Sequence, residues 1–534
     1  MTKKRLSLVL LSILKYFGLF FLVCFAGLII FVVYNFRDRH KDYRVDINRQ
    51  APGMVTVQAG FAAYPITPEV IDTWIDQKGN QQFRPREGDT FEDVSGTGRF
   101  DAVWMAGFQS NKPAKGIHDD LWARAMALDD GNTRMVWVVI DAIGFFADNV
   151  VDVRKALPDN LGVDYLIISA THTHSAPDLL GIYGPKKLKS GVNPDYLEYV
   201  KRQILVATES AVTSLRPARF RFAVDSLGAA DMIADTRKPV VINPALHLMQ
   251  AVDKKSGNTL GTLVLWDNHP ETIWSGNSLI TSDFPHYLRE GIEKGIWWGD
   301  SLITPGLGGI AIFATGNIGG LMTTHPGVGI ACMFEDTVYT EPTFQKVRAQ
   351  GLKLAQLTID ALSSSDVVEI SEGSIELRVR SIELSLKNRL FQIGLAAGVI
   401  NRGMTSWMRF RSEIAFWRLG PASFLHHPGE MYPEIADGGI EAPTGQDFAI
   451  QPLEIPPLRE IMPGQFRFIA GLSNDMIGYI IPKSQWDQRP PFTYDYENRP
   501  YGEINSLGPE TGPVIHAALV DLIQVTDEHQ YEPF

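Results

Sequence analysis

Two cysteines in 534 residues are too few for a disulfide framework. Cys24 sits inside an apolar N-terminal run, which leaves Cys332 without an intramolecular partner in the rest of the chain. The redox compartment therefore stays open. Basic charge is also scarce: 49 Lys and Arg against 61 Asp and Glu give a formal charge of -12, so there is no electrostatic footprint for DNA or RNA. Internal repeats and low-complexity tails are missing, and glycine stretches such as "PGLGG" lack phosphate-loop spacing and read as turns. No His-Glu-x-x-His stretch occurs. What remains, 45% hydrophobic and 21% charged, is an ordinary globular composition in a chain long enough for two or more domains.

One segment departs from that average. Between Lys15 and Arg37 lie 21 uncharged residues, "YFGLFFLVCFAGLIIFVVYNF". As a helix rising 1.5 Å per residue they span roughly 30 Å, the thickness of a bilayer's hydrocarbon core. A cleaved signal peptide has a shorter apolar core and a small-residue exit site, so this run reads as an uncleaved anchor. Lys3, Lys4, Arg5 and Lys15 before it equal Arg37, Arg39, Lys41 and Arg44 after it in number, and basic-residue counts leave the orientation open. The expected division is a short basic tail over 1–15, a transmembrane anchor over 16–36, a linker over 37–56 and one domain over 57–534.

Within that domain, "RMVWVVIDAIGFF", "YLIISATHTH", "TLVLWDNHP", "AIFATGNIGG" and "FRFIAGLSND" read as buried strands that end in polar or glycine loops. "YLEYVKRQILVATESAVTSL" and "TFQKVRAQGLKLAQLTIDALSSS" carry helical spacing. Together they predict an α/β domain. "SIELRVRSIELSL" alternates with period two, so the sheet is expected to be mixed or continued in a second layer. The Leu-, Trp-, Phe- and Arg-rich stretch over 390–420 has two readings, an amphipathic pair facing lipid and a core-covering helical hairpin.

Ligands in open α/β sheets bind outside the carboxyl ends of strands. There the same residue types recur. "IISATHTH" ends in His172 and His174, which share a face in extended backbone because they are two positions apart. "LVLWDNHPE" delivers His269, "ASFLHHPGEMYPE" delivers His426, His427 and Glu430, and "FIAGLSNDMIGY" delivers Asn474, Asp475 and Tyr479. Imidazole nitrogen with carboxylate oxygen suits Zn²⁺, and a catalytic zinc leaves one position open for water, which points to metal-assisted hydrolysis. Each candidate also has a structural reading: a hydrogen-bonded histidine for His172 or His269, a helix cap for Glu430, packing for Tyr479. His118 in "GIHDDLW" reads as a loop or helix N-terminus, and one of His426 and His427 as a donor to the Glu430 carboxylate.

These motifs resemble, in order, those of the neutral (alkaline, non-lysosomal) ceramidases, zinc amidases that cleave the N-acyl bond of ceramide. The matching stretches are "AGFAAYPITP", "GIHDDLWARAMAL", "VVIDAIG", "SATHTHSAP", "WDNHP", "FATGNIGG", "HPGE" and "GLSNDMIGY", within about Val57 to Gly512. The resemblance implies a mixed-sheet α/β catalytic domain and one zinc per chain on His172, His269, Glu430 and Tyr479. It places His174 beside the metal to move the proton, Arg237 in "ADTRKP" as a substrate contact and Tyr501 in "YGEINSLGPET" as a further active-site group. It also implies a lipid or lipid-like amide substrate, and a single-pass protein with its catalytic domain on the periplasmic or extracellular side.

Three departures stand out. Met322 in "GGLMTTHP" occupies the place of a family serine, "THTHSAPDLL" replaces a glycine pair with Ala176, Pro177 and Asp178, and the chain ends before the family's C-terminal immunoglobulin-like domain. The expected function is thus a membrane-anchored zinc amidohydrolase. Two alternatives are a same-scaffold hydrolase acting on another amide or ester, and a non-catalytic metal- or lipid-binding relative whose lost serine reports lost chemistry.

Overall fold

The computed structural model describes residues 3–524 apart from 52 and 496, so the outer ends of the expected 1–15 tail and 57–534 domain lie outside the described residues. Helix α1 (Lys3–Phe36) opens the chain, and its Leu11–Phe36 portion is long and apolar enough to cross a membrane. The stretch read as a linker over 37–56 carries strand β1 (Asp46–Arg49), which pairs with the body of the protein.

Each expected strand is a strand. The nine-stranded sheet contains β2 (Gln58–Pro65), β3 (Trp122–Asp129), β4 (Arg134–Ile140), β5 (Tyr165–Ala170), β6 (Arg216–Asp225), β7 (Leu246–Asp253), β8 (Thr259–Trp266) and β9 (Ile310–Thr315). They lie in the order β9-β8-β7-β6-β2-β3-β4-β5, and the short strand Val368–Ile370 pairs with β6. Pairing is antiparallel except for β8 with β9 and β4 with β5, so the sheet is mixed. The period-two stretch becomes β11 (Ile375–Ser385) once the short β10 (Met322–Thr323) is counted. It is the second strand of a separate five-stranded sheet, β1-β11-β12-β13-β15, with β12 (Arg409–Leu419), β13 (Ala422–His426) and β15 (Phe466–Ala470). Two short strands, β14 (Glu430–Met431) and β16 (Tyr479–Ile480), pair in parallel.

The layers follow from where the apolar faces go. Phe61, Trp137, Phe222 and Leu263 of the large sheet meet Leu377, Trp417, Phe424 and Phe468 of the small one in one core. Trp417 lies flat on Phe424 at 3.6 Å between ring centres. Helices α2 (Ala147–Lys155), α3 (Pro194–Thr213), α4 (Phe284–Lys294) and α5 (Phe344–Ser363) pack in the core on the other face of the large sheet. The starts of α3, α4 and α5 are set by side-chain caps: Asn193 accepts from Asp195 and Tyr196 N–H, Asp283 from Phe284 N–H and Thr343 from Lys346 N–H. On the outer face of the small sheet lie α6 (Arg389–Ala396) and α7 (Thr511–Gln524), so the order is helices, sheet, sheet, helices. The helical hairpin expected over 390–420 is half correct: α6 is helical, but 409–419 is strand β12. Its side chains are buried almost throughout, and that two-sided burial obscured the alternation that marks a strand.

Candidate metal centre

The strand ends meet as the connectivity requires. Ala170 N–H donates to Leu472 carbonyl and His427 N–H to Ala470 carbonyl, tying the ends of β5, β13 and β15 together. His427 Nε2 lies 3.2 Å from Asn317 Oδ1, and Asn317 N–H donates to Asp267, which adds the ends of β8 and β9. Glu430 and Tyr479 are register partners across β14 and β16, so their side chains leave on the same face. Gly478 makes that closeness possible: its φ is +79°, and a Cβ there would lie 1.9 Å from the Asn505 carbonyl oxygen.

Three imidazoles converge. The nearest ring nitrogens of His172, His174 and His269 all lie within 4.8 Å of one another, a cluster that could hold a metal ion. His172 has a φ of +66°, an uncommon conformation for a residue with a Cβ. Its Nδ1 donates to the Ile143 carbonyl at 2.6 Å, and His269 Nδ1 donates to the Met322 carbonyl at 2.7 Å. A carbonyl oxygen only accepts, so both rings carry their proton on Nδ1 and turn an Nε2 lone pair inward. Glu430 Oε2 lies 3.6 Å from His172 Nε2 and 3.4 Å from His269 Nε2, and no hydrogen-bond donor reaches it among the described residues. A buried carboxylate oxygen without a donor facing two imidazole lone pairs is what a divalent cation between them would satisfy. The donor set fits a metal.

Electrostatics separate the two rings. Burial pushes His172 down to about 3, so it stays neutral and able to donate a lone pair. Burial also works against a charge on Glu430, but its imidazole neighbours hold the carboxyl below its ordinary range, and among them His269 is raised in turn by Glu430 and Glu271 against burial. Tyr479 is pushed well above the usual phenol value by burial and then by the Glu430 charge.

His174 is held differently. Its Nδ1 lies 2.9 Å from Glu271 Oε2, with no backbone carbonyl in that role. Burial opposes the Glu271 charge, yet His174 overrides it and takes the carboxyl down to about 2. Glu271 is the residue the motif reading missed. The signal was present in "WDNHPE", an acid two positions after His269.

Above the cluster opens a pocket lined by His172, His174, Glu430 and Tyr479 and by apolar side chains including Phe146, Phe391 and Ile400. Tyr501 lines it too, 6.0 Å between ring centres from Tyr479. Arg237 does not; its guanidinium pairs with Glu434 and lies 4.0 Å over the Tyr432 ring, one ring away from Tyr479.

With this geometry in view, the sequence profile of the neutral/alkaline non-lysosomal ceramidase N-terminal domain matches residues 88–366, more than half of the chain. The chain belongs to that family. Among solved structures, a ceramidase complexed with C2 superposes with a TM-score of 0.61 at 17% identity, over 88% of this chain and 75% of that one. Neutral ceramidase from Pseudomonas aeruginosa gives 0.58 at 17%, over 88% and 74%. At that identity these ceramidases establish the shared mixed α/β fold.

Three other readings are resolved by contacts. His426 Nε2 accepts from Trp417 Nε1 and its Nδ1 faces Ser473 Oγ, while His427 points to Asn317, so neither donates to Glu430 as expected; both rings are taken up by residues at the ends of neighbouring strands and by Trp417 of β12. His118 sits in a loop, stacked on Phe344 and 2.8 Å from Asp119. Met322 is buried in the core with its carbonyl on His269, and Thr324 Oγ1 is consumed by Met232 carbonyl, Asn268 and Gln350.

Proposed function

We propose that this chain is a membrane-anchored zinc amidohydrolase acting on the N-acyl amide of a sphingolipid-like substrate. His172, His269, Glu430 and Tyr479 hold one zinc, and α1 anchors the chain with its catalytic domain on the periplasmic or extracellular side. The observation that carries it is the pairing of two Nδ1-pinned imidazoles with a donorless buried carboxylate beside an apolar-lined pocket. When bound, zinc supplies a Lewis acid that polarises the amide carbonyl and makes water a usable nucleophile near neutral pH.

The chain's own groups do the rest. Glu271 holds His174 by Nδ1, which leaves its buried Nε2 to accept the proton from the attacking water and return it to the departing amine. The Tyr501 hydroxyl, at the cavity wall, donates to the carbonyl oxygen as negative charge develops there. Arg237 serves as a positioning residue: it fixes Tyr432, and through it Tyr479. Phe146, Phe391 and Ile400 keep water off the acyl chain. No hydroxyl from the Met322 loop is needed.

Turnover of a labelled N-acyl amide by the full chain, with zinc measured in the same sample, tests this. Zinc-loaded protein that hydrolyses no amide, ester or ceramide analogue would favour a binding role instead. Protease added to spheroplasts should digest the catalytic domain; protection until lysis reverses the topology.

A further inference from the structure

The last turn of α1 does not end in a free tether. Asn35 Nδ2 donates to the Ala396 carbonyl at the end of α6, Met404 N–H donates to the Phe36 carbonyl, and Phe36 meets Trp407 edge-on at 6.0 Å. Just beyond, Arg39 bonds Asn401, and Asp38 accepts from Arg411. The helix that reads as a membrane span is therefore fastened to the same element whose Phe391 lines the cavity.

Around that junction several large apolar side chains are exposed. On α6, Leu390 and Ile393 are 60% and 54% exposed, one helical turn apart, while Phe391 and Leu395 face inward. Trp407 is 76% exposed beside Phe36. Across the mouth, the loop after β5 contributes Ile182 and Tyr183 to the cavity wall and then exposes Leu188, 63% accessible. The same rim carries Lys186, Lys187, Lys189, Lys387 and Arg389, all exposed and none in an ion pair among the described residues, on a chain of net charge -12. Protruding Trp and Leu side chains flanked by unpaired cations fit the boundary between acyl chains and anionic headgroups.

We propose that this rim is a membrane-docking surface: α6, Trp407 and the 182–189 loop seat in the headgroup boundary of an anionic phospholipid leaflet, on the bilayer that α1 crosses. The occupant follows from continuity, because α1 ends against α6 and a bilayer around α1 reaches the rim first. The cavity mouth then opens onto lipid, and the substrate class is an N-acyl amide resident in that leaflet, drawn in acyl chain first without crossing water. This rests on the membrane-anchor reading above.

The test uses the full chain in vesicles of phosphatidylcholine with phosphatidylglycerol. An environment-sensitive fluorophore is placed on single cysteines at positions 390, 407 and 188 in a C24S/C332S background. Two companions carry it on native Cys24 with C332S, and at position 227, where Leu227 is 75% exposed next to Gly228, which packs on Leu357 of α5 on the opposite layer. Spin-labelled lipids should quench 390, 407 and 188 by about half or more and leave 227 to aqueous iodide, while Cys24 is quenched by the deeper lipid probe. Combining K186E, K187E and K189E should free the label at 188 for iodide. If Cys24 is in lipid but 390, 407 and 188 respond only to iodide, the docking proposal is wrong and the anchor stands. If Cys24 itself responds only to iodide, the anchor reading fails and the proposal with it.

Discussion

Replacing Glu271 by Gln removes one charge from the candidate centre and almost no volume. Its carboxylate lies 2.9 Å from His174 Nδ1, and both groups are largely shielded from solvent. Burial alone would raise Glu271, yet the neighbouring histidine takes it down to about 2, so the carboxylate stays ionised beside the ring. A hydrogen bond to a charged group contributes about 1.5–3 kcal/mol. If that energy serves proton transfer at His174, its loss lowers kcat by roughly 10- to 150-fold. KM should move little, since Glu271 does not line the cavity wall that holds the acyl chain. Glu271→Asp should recover part of the rate. The assay is hydrolysis of a labelled N-acyl amide by full-length protein in detergent, with zinc content and Tm recorded for each variant. Glu271→Gln with full zinc, an unchanged Tm and a kcat within about twofold of wild type would refute the assignment of His174 as the proton carrier.

Metal content separates the histidines: His172→Ala and His269→Ala should lose the zinc measured by elemental analysis, whereas His174→Gln should keep about one per chain and lose activity by on the order of 10² to 10⁴-fold; a His174→Gln protein without zinc makes it a third ligand. Thr324→Val breaks three hydrogen bonds of a fully buried hydroxyl and should cost about 1–3 kcal/mol of stability, read as a lower Tm, while the folded fraction keeps at least about a tenth of its kcat; abolished turnover at unchanged Tm and zinc would put that hydroxyl in the chemistry. Lys112, 1% exposed, is pushed down to about 8 by burial while its Nζ bonds only the Ser275 carbonyl among the described residues. Because the folded state holds that proton less tightly than the unfolded chain, the charged lysine destabilises the fold below about pH 8, by on the order of 3 kcal/mol, and the penalty fades as pH rises from there toward 10.5. Lys112→Met should therefore be more stable than wild type in urea melts at pH 7, with the gap closing by about pH 10; a gap independent of pH would show that the ammonium is not the cause.

The sequence alone determined what depends on local pattern. Buried β-rich runs bounded by turn residues, such as "RMVWVVI" and "YLIISA", declared their strands because period and composition report burial directly, and the i, i+2 spacing of His172 and His174 put both rings on one side of the chain. Motif order did the same for family membership. Tertiary structure decided what depends on partners far along the chain. His172 and His269 are 97 positions apart, Glu430 reaches both from far along the chain, and only the pairing of β14 with β16 sets Tyr479 across from Glu430. The acid two positions after His269 was visible in "WDNHPE", but nothing local told which imidazole would find a backbone carbonyl and which a carboxylate, so Glu271 was given no role. Strand β12 was hidden because both its faces are covered, which erases alternation. The 37–56 stretch reads as a linker, but its edge strand exists because β11 offers it unpaired N–H and C=O groups. Chemistry could be read from residue types; its geometry required the packing of two sheets.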